Sequence, residues 1–435
     1  MTDYQKYLTV HNKQMFIVLT KLFLPENMKN IESITDRVFN KFIVTDDLGN
    51  ENQFSKLYGM SFDRLDIRPV VQKMIMNLLI ECSFGQSFAE LNLSADRFMQ
   101  SAPQFDKNRW LLLATMLVPS LTDLVMGFYG KLFGQRQRYF IDSIHKLIRH
   151  RWLTMASSSS SSTTDDDGDD VGNNINNNNN NNDTADEKPN NDFLQQFLDY
   201  RSRSGDILDD NEIVSLYYVC YLSSYESMTM MLSMLIYQLA LNPTVQQRLY
   251  DELQQLPVLT NTGTESGTGS TAEAAAAATA KLHELPYLNA VLLETIRLYP
   301  SFVANRRAIN DVYLTEVGLT VPKGTDVELS FISMFLNPQY FTDPYQFNPD
   351  RFMPTATDTI PANVFVPFGI GRATCIGKRF AKVILKQGLA KLVNRFRFSP
   401  TTATEIPLTF NRCPDMLLPK SIELKFEMRD KLIVN

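Results

Sequence analysis

Apolar residues recur at helical spacing along much of the chain, and this pattern predicts a mainly helical protein. Between 27 and 44 they repeat every three or four positions, at Ile31, Ile34, Val38, Phe39 and Phe42. A second apolar run predicts a helix over 69–85 that stops at Gly85, since glycine favours helix ends. The longest run, about 212–241, is apolar nearly all round and stops at Asn242-Pro243, so we expect it to cross the middle of the protein.

Further periodic segments extend this helical set, and short β signals lie between them. Helices are predicted over 192–200, 243–253 and 378–394, and within 285–300. Short strands are predicted over 312–314, 319–325 and 327–330, and the alternation in 417–426 predicts a closing strand pair. The expected fold class is therefore mainly α with small β-sheets (α+β).

Two stretches of biased composition interrupt the pattern. Residues 156–192 carry runs of serine, aspartate and asparagine that cannot bury apolar surface, so we expect a disordered insertion there. Residues 258–280 are rich in threonine, glycine and alanine and form a second low-complexity insertion. Folds tolerate such insertions because the entropy of loop closure grows slowly with loop length.

Composition narrows the classes of partner and site. With 44% hydrophobic and 21% charged residues, the chain has an ordinary globular balance. Its net charge of -6 does not indicate a nucleic acid as partner. The four cysteines, at 82, 220, 375 and 413, lack paired spacing, which favours a reducing compartment over a disulfide framework or a zinc site.

Membrane and targeting signals are weak in the sequence. The first 30 residues have neither the apolar core of a signal peptide or membrane span nor the pattern of a mitochondrial transit peptide. The most apolar stretch, 110–128, is interrupted by Pro119 and Asp123, which argues against a span. Two interpretations of this stretch stay open: buried helices, or a surface that dips into one face of a bilayer.

One cysteine lies in a setting suited to binding a metal through sulfur. Cys375 follows a loop that contains Gly369 and Gly371, and Gly377 precedes the next predicted helix. Free backbone N–H groups at a helix start stabilise a thiolate, and glycines let the backbone approach a flat ligand closely. These features favour a haem bound through sulfur, although a lone cysteine is more often a small buried hydrophobe.

The spacing of this loop resembles the haem-binding loop of the cytochromes P-450, the haem-thiolate monooxygenases. The family pattern Phe-x-x-Gly-x-Arg-x-Cys-x-Gly is matched at Phe368, Gly371, Cys375 and Gly377. The family arginine falls at Ala373, and Arg372 lies one residue early. The resemblance implies that Cys375 is the axial ligand of haem (iron protoporphyrin IX). It also implies that the other matched residues, together with Arg372, bind this cofactor.

A second motif of the same family lies upstream. Glu294 and Arg297 are three residues apart, hence on one helical face, and the string ETIRLYP around them resembles the family's ExxR helix. In the family this pair is buried and joins a downstream arginine, which is Arg351 in the string FNPDRF here. The resemblance therefore implies a structural network of three charges. Taken alone, the pair would be a surface ion pair worth only about a few tenths of a kcal/mol.

The long apolar helix carries a carboxylate in its middle. Glu226 is costly to bury unless it has a partner, and a partly exposed position is the alternative. Counted back from Asn242-Pro243, it aligns with the acid–alcohol motif of the family, with Ser224 in place of a glycine. The resemblance implies that Glu226 and Ser227 deliver protons to oxygen at the iron. It also implies that Arg307 contacts a haem propionate, with a solvent-exposed arginine as the alternative.

The resemblance continues on both sides of the two insertions, so it implies one domain over residues 1–435 with the haem between the long central helix and the cysteine loop. Family members carry an anchor or transit segment and further helices ahead of the point where the resemblance begins, near Phe16. We therefore expect either a truncated gene model or a short protein that lacks the N-terminal part of the family fold, and no targeting segment in this chain.

The implied reaction inserts one oxygen atom from O2 into an apolar small molecule (steroid-, lipid- or xenobiotic-like). The implied electron donor is a ferredoxin or an NADPH-dependent reductase. Two short strings, around Arg297 and Arg379, favour the mitochondrial branch of the family, although Leu293 stands where that branch has a lysine. We expect an intracellular protein with peripheral membrane contact, at the mitochondrial inner membrane or the endoplasmic reticulum. The alternatives are a haem-binding protein without turnover, which Ala373 and Ser224 favour, and a structural helical protein without a cofactor.

Overall fold

The computed structural model describes residues 19–44, 62–102, 137–155, 192–204, 208–256, 279–300, 304–356, 360–371, 374–411 and 416–429. These residues belong to two compact units. The smaller unit contains the described residues from 80 to 102 and from 137 to 218. The larger unit contains those from 19 to 79 and from 219 to 429. The single domain expected from the sequence stays a prediction.

Helices dominate the described chain. They are α1 (Pro25–Val44), α2 (Ile67–Phe84), α3 (Ala95–Ser101), α4 (137–155), α5 (Phe193–Ser204), α6 (Asp210–Leu241), α7 (Pro243–Leu253), α8 (Pro286–Leu298), α9 (Phe331–Phe335) and α10 (Lys378–Arg395). Residues 19–22 and 279–284 are also helical, and Pro349–Phe352 forms a 3-10 turn. The helices predicted from periodicity are confirmed, with ends that shift by a few residues.

The strands are short and antiparallel, and all of them lie in the larger unit. They are β1 (Phe62–Asp66), β2 (Ala304–Arg307), β3 (Val312–Leu314), β4 (Leu319–Val321), β5 (Asp326–Leu329), β6 (Phe396–Pro400), β7 (Phe410–Asn411), β8 (Leu418–Pro419) and β9 (Glu423–Met428). One sheet has three strands in the order β1-β9-β6, and the others are the pairs β2-β5, β3-β4 and β7-β8. The predicted fold class, mainly α with small β-sheets, is confirmed.

The closing strand pair predicted over 417–426 is wrong in its pairing. β8 pairs with β7, whereas β9 pairs with β1 and β6. The reason lies between β8 and β9, where Ile422 is bound to the start of α2. Its N–H donates to Asp66 Oδ1 over 3.1 Å, and its carbonyl accepts from the N–H of Ile67 over 3.0 Å. These bonds hold the segment against α2, so the two strands do not fold back on each other.

The start of α5 corrects one boundary of the predicted insertion. Asp192, placed at the end of a disordered stretch by composition, is buried and pairs with Arg151 over 2.8 Å. Its Oδ1 also accepts from the N–H of Gln195 over 2.8 Å, so it caps the helix. The rest of that insertion, most of 258–280 and the apolar stretch 110–128 lie outside the described residues. No helix among the described residues is both long and apolar enough to cross a membrane.

In the larger unit, α6 and α10 supply much of the core. Every residue of α6 from Met228 to Ala240 is buried. α10 packs against α1, α7 and α8, and five of its apolar residues are buried: Phe380, Val383, Ile384, Leu389 and Leu392. This packing fixes the first turn of α10, and the loop that carries Cys375 leads directly into that turn.

Candidate active site

The cysteine loop is a tight turn closed by backbone hydrogen bonds. The N–H of Cys375 donates to the carbonyl of Phe368 over 2.7 Å, and the N–H of Gly369 donates to that of Val366 over 2.8 Å. Gly369 and Gly371 have φ angles of +72° and +63°, in the left-handed region that favours glycine. A Cβ at Gly371 would meet no atom within 4 Å, so the backbone conformation rather than crowding requires glycine there.

The thiol of Cys375 lies where a helix begins. The residue is exposed by its surface area, and its sulfur accepts a hydrogen bond from the N–H of Gly377, the residue before α10. Desolvation by the surrounding loop raises the pKa of the Cys375 thiol, whereas this N–H and the charge of Lys378 lower the pKa. An N–H donor, a nearby cation and a helix start are the features that stabilise a thiolate.

The middle of α6 has one face that is open. In the middle of this largely buried helix, Leu222 is half-buried. On the neighbouring side, Ser223 is exposed, and Val219, Cys220, Ser224 and Ser227 are half-buried. These positions recur at intervals of three or four residues, so they share one side of the helix. We call these five residues the open face. An uncovered polar patch in the middle of a buried helix is the surface that a bound ligand would cover.

The three serines of the open face bond to their own helix. Ser223 donates to the carbonyl of Val219 over 2.8 Å, and Ser227 donates to that of Ser223 over 2.7 Å. Ser224 donates to the carbonyl of Cys220. Each hydroxyl keeps its lone pairs free of these bonds, so the open face offers three acceptors and three protons that rotation can release.

Glu226 is buried and has a partner that the sequence did not reveal. The residue is 5% exposed, and its Oε2 lies 3.4 Å from Nη2 of Arg68, in the first turn of α2. Arg68 is also buried, and its Nη1 donates to the carbonyl of Pro419 over 3.0 Å. Sequence reasoning missed Arg68 because it began this helix at residue 69 and followed only the apolar positions. The one available signal was a cation at the start of an apolar helix, where the helix dipole disfavours it.

The structure brings Glu294, Arg297 and Arg351 together in a buried cluster. Arg297 Nε donates to Glu294 Oε2 over 2.7 Å and its Nη2 to Oε1 over 2.8 Å. Arg351 Nε lies 3.3 Å from Glu294 Oε1. The side chains of Glu294 and Arg297 are fully buried, and that of Arg351 is 6% exposed. The same Arg297 also donates to the carbonyls of Phe335 and Pro344, which ties the chain after β5 to α8.

Of the two arginines predicted to contact the cofactor, Arg307 is described by the structure and Arg372 is not. Arg307 pairs with Asp326 across strands β2 and β5, with Nε–Oδ1 and Nη2–Oδ2 distances of 2.7 and 2.8 Å. Both side chains are about 70% exposed, at 69% and 71%, and the contact of Arg307 with a haem propionate stays a prediction. Arg372 and its neighbour Ala373 lie outside the described residues.

Comparison with known proteins decides the family. Residues 9–426 match the family model described as Cytochrome P450. The chain belongs to the cytochrome P450 family.

Relatives within this family are similar at a low level of identity. Human Cytochrome P450 3A7 is 27% identical over 379 residues, which cover 84% of this chain and 66% of the relative. Mouse Cytochrome P450 3A13 is 29% identical over 371 residues, with coverages of 82% and 64%. Human Cytochrome P450 3A5 is 28% identical over 377 residues, with coverages of 83% and 66%. The chain thus spans about two thirds of the length of these curated relatives, slightly less in each case.

The mitochondrial branch predicted from local strings is not supported by these relatives, all of which are named as 3A-type cytochromes P450. The short strings that favoured that branch surround Arg297 and Arg379, in segments where packing constrains the sequence. Such segments carry the fold of the whole family and therefore discriminate poorly between its branches.

Membership in the cytochrome P450 family implies a haem with a cysteine thiolate ligand, and the residues of this chain fit that group. The thiol of Cys375 is exposed and already receives an N–H from the backbone. A Cβ at Gly371 or Gly377 would meet nothing within 4 Å, so the loop leaves room for a flat ligand beside the sulfur. Sulfur donors of this kind suit iron.

Proposed function

We propose that this cytochrome P450 is a haem-thiolate monooxygenase that inserts one oxygen atom from O2 into an apolar small molecule. Electrons come from a separate redox protein. The observation that carries the proposal is the exposed Cys375 thiol, which lies at the start of α10 with a backbone N–H already directed to the sulfur. Family membership supports the same reaction class.

Cys375 would hold the haem iron, and the loop around it would stabilise the charge on sulfur. When bound, the haem supplies the redox chemistry that activates O2. Desolvation raises the pKa of the Cys375 thiol, and the N–H of Gly377 and the ammonium of Lys378 oppose this effect and would help to hold the ionised ligand. Phe368 covers one side of the loop, with Lys378 Nζ 5.9 Å from the centre of its ring.

Ser227 and Glu226 would supply protons to the reacting oxygen from the side of α6. The hydroxyl of Ser227 now donates to the carbonyl of Ser223, so it must rotate to donate a proton into the open face. Glu226, next to Ser227 in sequence, would return that proton. Glu294, Arg297 and Arg351 stay structural in this scheme, since their hydrogen bonds are made to each other and to backbone carbonyls.

Apolar residues suggest both the class of substrate and the cellular location: two of them lie on the open face, and others form the stretch 110–128. Val219 and Cys220 flank the serines on the open face and would give an apolar molecule two apolar side chains to pack against. We place the protein inside the cell with peripheral membrane contact at the endoplasmic reticulum, through the apolar stretch 110–128. Flotation of the purified chain with phospholipid vesicles tests this contact, and a deletion of that stretch should abolish it.

The test of the reaction class is spectroscopic. The chain is expressed with a haem precursor, purified, reduced and exposed to carbon monoxide, and a thiolate-type Soret band is expected. Cys375→Ala should lose this band, whereas Cys82→Ala, which removes a buried thiol from the core, should retain it. Wild-type protein that takes up no haem contradicts the proposal.

Turnover is tested in the same preparation. Oxygen-dependent NADPH consumption is measured with an NADPH-dependent reductase in one arm and with a ferredoxin and its reductase in the other. Consumption in either arm supports the monooxygenase and identifies the class of donor. A haem-loaded chain that consumes nothing in both arms favours the second candidate, a haem-binding protein without turnover, for which Ser224 on the open face is the specific observation.

A further inference from the structure

A buried cation stands at an unfavourable place in the fold. Arg68 is the second residue of α2 and is 9% exposed. The partial positive charge at a helix N-terminus disfavours a cation, and burial adds a cost of desolvation. Its Nε is buried without a hydrogen-bond partner among the described residues, which adds a further cost. Because burying Arg68 is costly and the residue adds nothing to the apolar core, its contacts must account for its position.

Those contacts join three segments that are distant in sequence. Nη1 donates to the carbonyl of Pro419 in β8 over 3.0 Å, and Nη2 reaches Glu226 Oε2 over 3.4 Å. The backbone N–H of Arg68 donates to Asp66 Oδ1 over 3.2 Å, and the same oxygen accepts from Ile422. Arg68 is therefore held by its backbone N–H and by Nη1 of its guanidinium, and Nη2 is the atom that reaches the carboxylate.

Glu226 is held by one oxygen only. Its Oε2 takes the contact with Arg68, and Oε1 makes no hydrogen bond within the part of the chain that the structure describes. Residue 226 lies about 100° round the helix from Ser227, since a helix has about 3.6 residues per turn. The carboxylate therefore stems from the flank of the open face and has one oxygen without an assigned bond.

We propose that Arg68 is a positioning residue for Glu226: it holds the Oε2 atom of the carboxylate, so that the group keeps its place beside Ser227, which lies on the open face. The inference deepens the proposed function and rests on it for the role of Glu226 in proton supply. Arg68 itself touches no reacting atom in this scheme.

A purely structural ion pair is the competing explanation, and stability alone does not separate the two. Replacing both members of a buried pair by neutral or apolar groups is often neutral for stability, whereas removing one member is costly. The variants are therefore Arg68→Met, Arg68→Lys and the double variant Arg68→Met with Glu226→Gln. The double variant leaves no buried charge without a partner, so it can still be measured if Arg68→Met alone folds poorly.

The first readout is the position of the carboxylate and needs no activity. Crystal structures of wild type, Arg68→Lys and Arg68→Met are compared at residue 226. We expect the carboxylate to keep its place in Arg68→Lys, which retains the charge, and to leave it in Arg68→Met. An unmoved carboxylate in Arg68→Met overturns the proposal, whether or not the chain binds haem.

The second readout is kinetic and uses haem-loaded protein with a verified thiolate-type band. We expect Arg68→Met to lower kcat about tenfold with KM nearly unchanged, less than the about 10²- to 10⁴-fold that a proton-transfer group contributes. In the Glu226→Gln background the same substitution should change kcat little, because Arg68 acts only through the carboxylate. An equal loss in both backgrounds overturns the proposal.

Arg248→Met is the matched control. Like Arg68, Arg248 pairs with a carboxylate, that of Asp350, over 2.8 Å, but both of these side chains are about half exposed, at 50% and 55%. The Arg248→Met variant should therefore leave kcat unchanged. Absence of the thiolate-type band in wild type would count against the proposed function and would leave the crystallographic comparison to decide the role of Arg68.

Discussion

At the scale of single residues, the fold is marked by a carboxylate that is completely buried among guanidinium groups. Both oxygens of Glu294 accept from Arg297, and Oε1 also accepts from Arg351 and from the backbone N–H of Asn348 over 2.8 Å. Two buried cations and one anion are tolerable because the remaining N–H groups reach backbone carbonyls. This cluster joins α8 to the 3-10 turn at Pro349–Phe352, so its effect is on the fold rather than on chemistry.

Glu294→Gln is expected to be strongly destabilising. The substitution keeps the shape of the side chain but leaves the Arg297 and Arg351 charges buried without an anion, which costs about 3–5 kcal/mol. Chemical unfolding of wild type and variant measures this difference. Asp350→Asn, which breaks the half-exposed pair with Arg248, is the control and should cost no more than about 1 kcal/mol. Equal small losses in the two variants would show that the Glu294 cluster contributes little to stability.

At the scale of elements, the approach of α1 to α10 depends on a glycine. A Cβ placed on Gly388 would lie 2.6 Å from Cζ of Phe39, and Phe39 is fully buried. Glycine normally weakens a helix by about 1 kcal/mol relative to alanine, so its presence within α10 needs this packing reason. The two helices are joined again one turn later, where Lys391 Nζ contacts Asp36 and Asn40.

Gly388→Ala should therefore destabilise the protein despite the better helix propensity of alanine. Overpacking of a core costs about 1–3 kcal/mol, which exceeds the propensity gain of about 1 kcal/mol. Unfolding measurements on Gly388→Ala, Phe39→Leu and the double variant test the cause. The loss in the double variant should be smaller than the sum of the two single losses, because the smaller side chain makes room. A gain of stability in Gly388→Ala would show that Phe39 moves aside freely.

Helices were predictable from the sequence because their signal is local, whereas strand pairing and the partner of Glu226 were not. The apolar period placed α1, α6 and α10 within a few residues of their observed ends. β9 pairs with β1, more than 350 positions away in sequence, with Asp66 opposite Glu423, and no local pattern encodes that choice. Arg68 and Glu226 are likewise separated by 158 positions. Motif spacing identified Cys375 and Glu294, since short strings of fixed order carry those sites.

At the scale of the whole molecule, stability should depend on pH through a half-buried histidine that the fold favours in its neutral form. Nε2 of His283 is buried and has no hydrogen-bond partner among the described residues, and it lies 3.7 Å from Glu32 Oε1. Desolvation, with a smaller effect of the Lys386 charge, lowers the pKa of His283 from its ordinary 6.5 to about 4. The unfolded chain therefore binds more protons than the folded chain between these two values, and the free energy of unfolding falls as the pH falls from 6.5 to 4.

His283→Gln should flatten this part of the pH profile, because it removes the group that the folded state keeps neutral. Burial raises the pKa of Glu32, so this neighbour acts in the opposite direction and offsets part of the loss in acid. Glu32→Gln should then steepen the fall. The measurement is the free energy of unfolding in urea at several pH values between 6.5 and 4, with His150→Gln as the control because His150 is exposed. A slope that is the same in wild type and His283→Gln would assign the acid sensitivity to other groups and would mean that water already solvates the His283 ring in the folded protein.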